Sequence, residues 1–110
     1  MYPFTESNRI LSCEPELAKK VCAEKGEDAY TTAFRVLEML ADPARFHGLR
    51  VLLKPNLGRV AGPRSGVITS PQVIAAATDY FRGGGAHVAV GESPIAGVDL
   101  REVLRCSGLD

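Results

Sequence analysis

The hydrophobic positions of the chain alternate between helical spacing and short uninterrupted runs. A first helix is predicted between a candidate N-cap at Asp28 and a stop at Asp42-Pro43, because apolar side chains recur there every three or four residues. These positions are Tyr30, Ala33, Phe34, Leu37 and Leu40. Residues 49–53 follow as a continuous apolar run, which is typical of a strand covered on both faces.

The second half of the chain predicts a strand–helix–strand unit. Ser70 is a candidate N-cap with proline in the first helical position, and apolar residues follow at helical spacing until the glycines at 83–85. A second buried strand is predicted at residues 86–90. A last helix, to about Cys106, is predicted after Asp99, which forms a capping-box pattern with Glu102.

The remaining segments have weaker patterns. Residues 9–13 predict a short edge strand, and residues 15–25 predict a short helix that Gly26 ends. Residues 55–70 contain glycine and proline without periodicity, and loops of that length often carry a ligand site.

Together these elements predict one α/β domain over residues 1–110. We expect three layers with a small, mostly parallel sheet that contains a βαβ unit, since strands and a helix alternate. The topology would be Rossmann-like, but no predicted strand is followed by the glycine pattern of a dinucleotide or P-loop site. A sheet of two or three strands leaves open edges, which a homodimer would cover.

Composition and charge exclude several classes of partner. The 110 residues carry 13 basic and 13 acidic side chains, with no Lys/Arg cluster, so we expect no nucleic-acid partner. The N-terminus lacks the pattern of a signal peptide, and no apolar run approaches the roughly 20 residues that span a bilayer. We therefore expect a cytoplasmic protein without membrane contact. The three cysteines lack metal-site spacing, which predicts reduced thiols and no metal ligands.

Polar residues gather where the two central strands are predicted to end. In open parallel sheets, ligands bind beyond the carboxyl ends of the strands. Lys54 and Asn56 follow the first strand, Glu92 follows the second, and Thr69 and Ser70 open the intervening helix. A helix N-terminus beside a lysine favours an anion, such as a phosphate or carboxylate.

Arg59 or Arg64, from the glycine-bearing loop, could fold over such an anion. The residues at the strand ends and the helix start also have structural explanations. Ser70 could equally cap its helix only, Asn56 could close a turn, and Lys54 could be solvated. Glu92 is the candidate general base or metal carboxylate, and a solvated loop carboxylate is its alternative.

Three sequence blocks in this half resemble the family called domain of unknown function 362. Family blocks read approximately V-L-I-K-P-N, G-x-T-T-H-P-E and G-A-x-V-x-V-G-[DE]-S-P, and their order and spacing match residues 49–109. Matching positions include Lys54, Asn56, Thr69, Glu92 and Ser93, so the resemblance adds Ser93 to the candidate ligand-binding residues.

Departures from the family pattern limit what can be carried over. Ser70 and Gln72 stand where the family commonly has His and Glu, and Ile68 replaces the first threonine. A metal-ligand or acid/base role of that histidine is therefore not carried over. The resemblance further implies that the chain is either the N-terminal portion of a larger family domain or a naturally short member. An iron–sulfur cluster is expected only in a C-terminal ferredoxin module, and no cofactor is expected in residues 1–110.

Two functions from different classes follow from these residues. The first is binding of a small anionic ligand at the carboxyl edge of the parallel strands, in a redox-associated protein. The second is a non-catalytic interaction or scaffold domain that self-associates, which the departures at Ser70 and Gln72 favour. A nucleotide-binding half-domain is a third, weaker option.

Overall fold

A computed structural model of the protein describes residues 20–109. Its elements, in order, are helix α1 (Ala29–Leu40), a 3₁₀ helix (Pro43–Phe46), strand β1 (Arg50–Leu53), helix α2 (Pro71–Gly83), strand β2 (His87–Val90) and helix α3 (Leu100–Ser107). The edge strand predicted at residues 9–13 lies outside the described residues. Of the helix predicted over residues 15–25, the described part, 20–25, is not helical.

Side-chain caps determine where the three α-helices begin. The Asp28 carboxylate accepts a hydrogen bond from the Thr31 amide at 2.7 Å, and the Ser70 hydroxyl accepts one from the Gln72 amide at 3.3 Å. Asp99 caps α3 in the same way. Each such cap satisfies an amide that the helix itself leaves unpaired, and it typically contributes about 1 kcal/mol. The predicted starts of all three helices are confirmed.

Strands β1 and β2 form a two-stranded parallel sheet, and α2 connects them. The register pairs Arg50 with His87 and Leu53 with Val90. This confirms the α/β class and the predicted βαβ unit. Among the described residues each strand has a single neighbour, so each also has an open edge.

The main core lies between one face of this sheet and the helices. Phe46, Tyr80 and Ala86 are buried there, and Val51 and Val88 reach the same cluster from the strands. The partly buried side chains of α1 and neighbouring segments that complete the cluster are Phe34, Leu37, Ala41, Leu49 and Phe81. Helix α1 packs on α2, so both helices belong to this one side of the sheet.

The other face of the sheet differs from the sequence-based expectation. The side chain of Leu52 is 69% exposed, and its cross-strand neighbour Ala89 is exposed as well. Alternation along a strand sends Val51 and Leu52 to opposite faces, so a continuous apolar run does not by itself place both faces in a core. In the part of the chain that the structure describes, β1 is covered on one face, and the predicted three-layer, Rossmann-like arrangement is not confirmed.

The glycines after α2 allow the chain to turn closely past the 3₁₀ helix. Gly85 has a φ of +88°, and a Cβ atom there would overlap the ring of His47. Its carbonyl accepts a hydrogen bond from the Gly48 amide at 2.9 Å. A side chain at position 85 would thus be strained and obstructed, which explains the glycine stop seen in the sequence.

Candidate functional site

The ends of the two parallel strands bring a lysine and a glutamate together. Lys54 follows β1 directly, and Glu92 lies two residues beyond β2. Because the strands are parallel and in register, both residues emerge at the carboxyl edge of the sheet. The Lys54 ammonium donates to a Glu92 carboxylate oxygen at 2.9 Å. The sequence-predicted meeting of these strand ends is observed.

The two partners of this ion pair differ in exposure. The side chain of Glu92 is 6% exposed, whereas that of Lys54 is 69% exposed. The second Glu92 oxygen accepts a hydrogen bond from the Ser93 amide at 2.7 Å. The hydrogen bond from Lys54 is the largest cause that lowers the pKa of Glu92 below its ordinary value, followed by the Ser93 amide. Partial desolvation opposes this shift, and the Leu57 amide adds to it.

We predict that this ion pair makes the free energy of unfolding depend on pH in the acidic range. Since the pKa of Glu92 is lowered in the folded chain, its stabilising contribution is present above the unfolded pKa of about 4.3 and is lost as pH falls through the folded pKa. Glu92→Gln should therefore unfold at lower urea than wild type at pH 7, and the difference should shrink toward pH 3. Glu24→Gln, at an exposed position outside this pair, is the control. A difference between wild type and Glu92→Gln that stays constant with pH would contradict this explanation.

Asn56 and Thr69 join the start and the end of the loop between β1 and α2. The Asn56 amide donates to the Thr69 hydroxyl at 2.8 Å, and the Thr69 amide donates to the Asn56 carbonyl at 2.9 Å. The side-chain amide of Asn56 donates to the Val67 carbonyl at 3.3 Å. These two predicted site residues therefore fasten the two ends of the loop to each other, and both belong to the loop that follows Lys54.

The amides at the start of α2 already have partners. Pro71 carries no amide hydrogen, the Gln72 amide binds the Ser70 hydroxyl, and the Val73 amide donates to the Ser70 carbonyl at 3.0 Å. The sequence predicts that amides at this helix start face an anion. In the structure Ser70 binds the Gln72 and Val73 amides, which leaves the exposed Lys54 ammonium as the candidate anion donor at this edge.

The loop at residues 54–70 packs around a small core of its own. Leu57 and Ile68 are buried with Val103 of α3. The Ile95 amide donates to the Gly58 carbonyl at 3.1 Å, which joins the loops that follow the two strands. Sequence reasoning missed this core, although the apolar residues Leu57 and Ile68 in a glycine-bearing loop were its signal.

The remaining candidate residues lie on exposed parts of the same loops. Arg64 is exposed, and so are Arg59 and Ser93. Residues 54–70 carry three cations, Lys54, Arg59 and Arg64, and no carboxylate. The loop between β1 and α2 is therefore locally cationic even though the whole chain has no net charge.

Three further features of the described residues bear on the candidate chemistry. Within residues 20–109, no three His, Cys, Asp or Glu side chains are grouped so that they could hold a metal ion. Cys22 and Cys106 are free thiols, and both are partly buried. No described helix has the length and hydrophobicity needed to cross a membrane.

Comparison with known proteins identifies one family. The model of the family described as Domain of unknown function (DUF362) matches residues 51–110. The match includes both strands apart from Arg50, the loop, α2, α3 and the Lys54–Glu92 pair. No curated protein and no solved structure matches the chain.

Proposed function

This chain belongs to the Domain of unknown function (DUF362) family, and we propose that its strand-end ion pair marks a binding site for a small anionic ligand. The observation that carries the proposal is the unequal exposure of the pair. Glu92 is 6% exposed and holds the ammonium in place, while the Lys54 side chain, at 69% exposure, faces solvent. The family match supports the proposal only by including these residues, since it names no reaction.

Lys54 retains the donors that an anion needs. An ammonium group has three N–H donors, and one of them is used on Glu92. Within residues 20–109 the other two donors have no hydrogen-bond partner, so they can meet a phosphate or carboxylate oxygen. The carboxylate of Glu92 repels an incoming anion. Residues 54–70 contain two arginines and no acidic side chain, so the loop as a whole carries positive charge that opposes this repulsion. A small anion with two or more oxygens fits this arrangement.

Glu92 is our candidate for acid/base chemistry at this site. The hydrogen bond from Lys54 lowers the pKa of Glu92, so the ion-paired carboxylate is ionised at neutral pH and is a weaker base than an unpaired glutamate. A ligand that draws Lys54 away would weaken the interaction that lowers this pKa and make Glu92 more basic. The proposed redox association rests on the family resemblance, and any iron–sulfur cluster would belong to a ferredoxin module and not to Lys54 or Glu92.

We predict that anion binding depends on Lys54. Inorganic phosphate and pyrophosphate would be titrated into the chain by calorimetry at low ionic strength, because salt screens exposed charges. Lys54→Ala should weaken binding at least tenfold, which corresponds to about 1.4 kcal/mol. Lys25→Ala removes an exposed lysine outside the site and should leave affinity within twofold. Equal affinity of wild type and Lys54→Ala would overturn the assignment.

A scaffold domain that self-associates is the second candidate function. It is favoured by the hydrogen bonds of Asn56, Thr69 and Ser70, which all serve the loop or the helix start. It is also favoured by the edges of β1 and β2 that stay open among residues 20–109. Strand edges with unpaired backbone groups are natural sites for pairing between copies. Absence of phosphate and pyrophosphate binding, together with a mass that rises with concentration in sedimentation equilibrium, would favour this function over anion binding.

A further inference from the structure

The Glu92 carboxylate is itself held as a bound anion would be. One of its oxygens accepts a hydrogen bond from the Lys54 ammonium at 2.9 Å, and the other accepts one from the Ser93 amide at 2.7 Å. The Leu57 amide also donates to this carboxylate. Backbone amides beside a cationic side chain are the donors that proteins use for phosphate and carboxylate groups. A carboxylate of the chain therefore fills a set of anion donors at this edge of the sheet.

The exposures of the two side chains show what an incoming anion has to displace. The Lys54 side chain is 69% exposed, so solvent reaches the ammonium. The Glu92 side chain is only 6% exposed, and its carboxylate covers the amides of Leu57 and Ser93, which belong to the loops after β1 and β2. An anion that uses these two amides has to take the place of the carboxylate.

We propose that Glu92 is an internal competitor of the ligand, and that the ligand carries a doubly charged oxyanion such as a phosphate group. This inference rests on the anion site proposed above, and it states what limits the affinity of that site and what sets its choice of ligand. On binding, the oxyanion accepts hydrogen bonds from Lys54 and from the amides of Leu57 and Ser93. The Glu92 side chain moves to another rotamer.

The charge of Glu92 determines which anions can compete with it. A carboxylate tethered beside its donors acts at a high effective concentration, so a free carboxylate of the same charge gains nothing by replacing it. A phosphate dianion carries about twice the charge and is attracted to the ammonium about twice as strongly at the same distance. Glu92 also orients the ammonium, but an exposed lysine gains little from such an ion pair, whereas the carboxylate charge opposes every anion at the site.

Glu92→Gln tests the competition, because it removes the charge and keeps the size of the side chain. Calorimetric titration with inorganic phosphate should show at least tenfold tighter binding to Glu92→Gln than to wild type. Glu24→Gln removes an exposed carboxylate outside the site and should bind phosphate within twofold of wild type. Acetate should bind wild type at least tenfold more weakly than phosphate does. Since Glu92→Gln is expected to be less stable than wild type, a gain in affinity cannot come from better folding.

Amide spectra of the wild-type chain locate the anion without any substitution. Saturating phosphate should shift the Leu57 and Ser93 amide resonances more than those of Gln72 and Val73, whose amides bind Ser70 at the start of α2. Unmoved Leu57 and Ser93 resonances in a chain that does bind phosphate would overturn the competition.

The outcomes separate this inference from the anion site itself. Phosphate binding that Lys54→Ala weakens and that Glu92→Gln leaves unchanged would keep the anion site and overturn the competition. A gain from Glu92→Gln that has the same size in a Lys54→Ala background would also overturn it, because Glu92 would then act by general repulsion alone. Absence of phosphate binding to both wild type and Glu92→Gln would overturn the anion site and the competition together.

Discussion

Tyr80→Ala should lower the free energy of unfolding by about 3–5 kcal/mol, since truncation of a large buried aromatic removes its apolar contacts and leaves a cavity. The side chain of Tyr80 is 2% exposed at the centre of the main core. Its ring contacts those of Phe34 and Phe81 edge to face, with ring centroids 5.9 and 5.1 Å apart. Such pairs stabilise the fold beyond the effect of the apolar area that they bury. Because whole domains are typically stable by only 5–15 kcal/mol, this loss would bring the chain close to unfolding at 25 °C.

Tyr80→Phe separates the contribution of the Tyr80 hydroxyl to stability from that of the ring. The hydroxyl donates a hydrogen bond to the Ala41 carbonyl, which ties α2 to the residue after α1. Removal of this bond should cost about 0.5–1.5 kcal/mol, which is much less than removal of the ring. Urea unfolding followed by circular dichroism measures both variants. A Tyr80→Ala variant within 1 kcal/mol of wild type would show that this aromatic cluster does not form the main core.

Local sequence signals predicted the elements of this fold well because their causes are local. Asp28, Ser70 and Asp99 each accept a hydrogen bond from an amide two or three residues ahead, so the start of each helix is encoded within a few positions. The parallel strands then follow from the helix between them, and the meeting of Lys54 with Glu92 follows from parallel strand ends.

What the sequence did not predict depends on contacts between distant positions. The exposure of Leu52 could not be inferred, because an apolar run at residues 49–53 does not state what lies over each face. The core of the loop joins Leu57 to Val103 of α3, and no periodicity relates these positions. The hydrogen bonds that occupy Asn56 and Thr69 likewise depend on where the loop returns to α2.

Leu57→Ala should lower the free energy of unfolding by about 2–5 kcal/mol, the usual range when a buried leucine is truncated. Leu57 is 2% exposed and packs with Ile68 and Val103, so its loss leaves a cavity beneath the loop. Val60→Ala in the same loop is the matched control, because Val60 is 42% exposed and its truncation should cost little. Urea unfolding again measures the free energy of unfolding of both variants.

The effect of Leu57→Ala should extend to the ion pair. Leu57 lies between Asn56, whose carbonyl binds the Thr69 amide, and Gly58, whose carbonyl binds the Ile95 amide. The Leu57 amide also helps to lower the pKa of Glu92. Once the side chain no longer anchors this segment, hydrogen exchange at the amides of Thr69 and Ile95 should accelerate more than tenfold, and the pKa of Glu92 should move back toward its ordinary value. A carbon-13 NMR titration of the Glu92 carboxyl measures the latter. Faster exchange with an unchanged Glu92 pKa would show that Lys54 and Ser93 hold the carboxylate without the loop core.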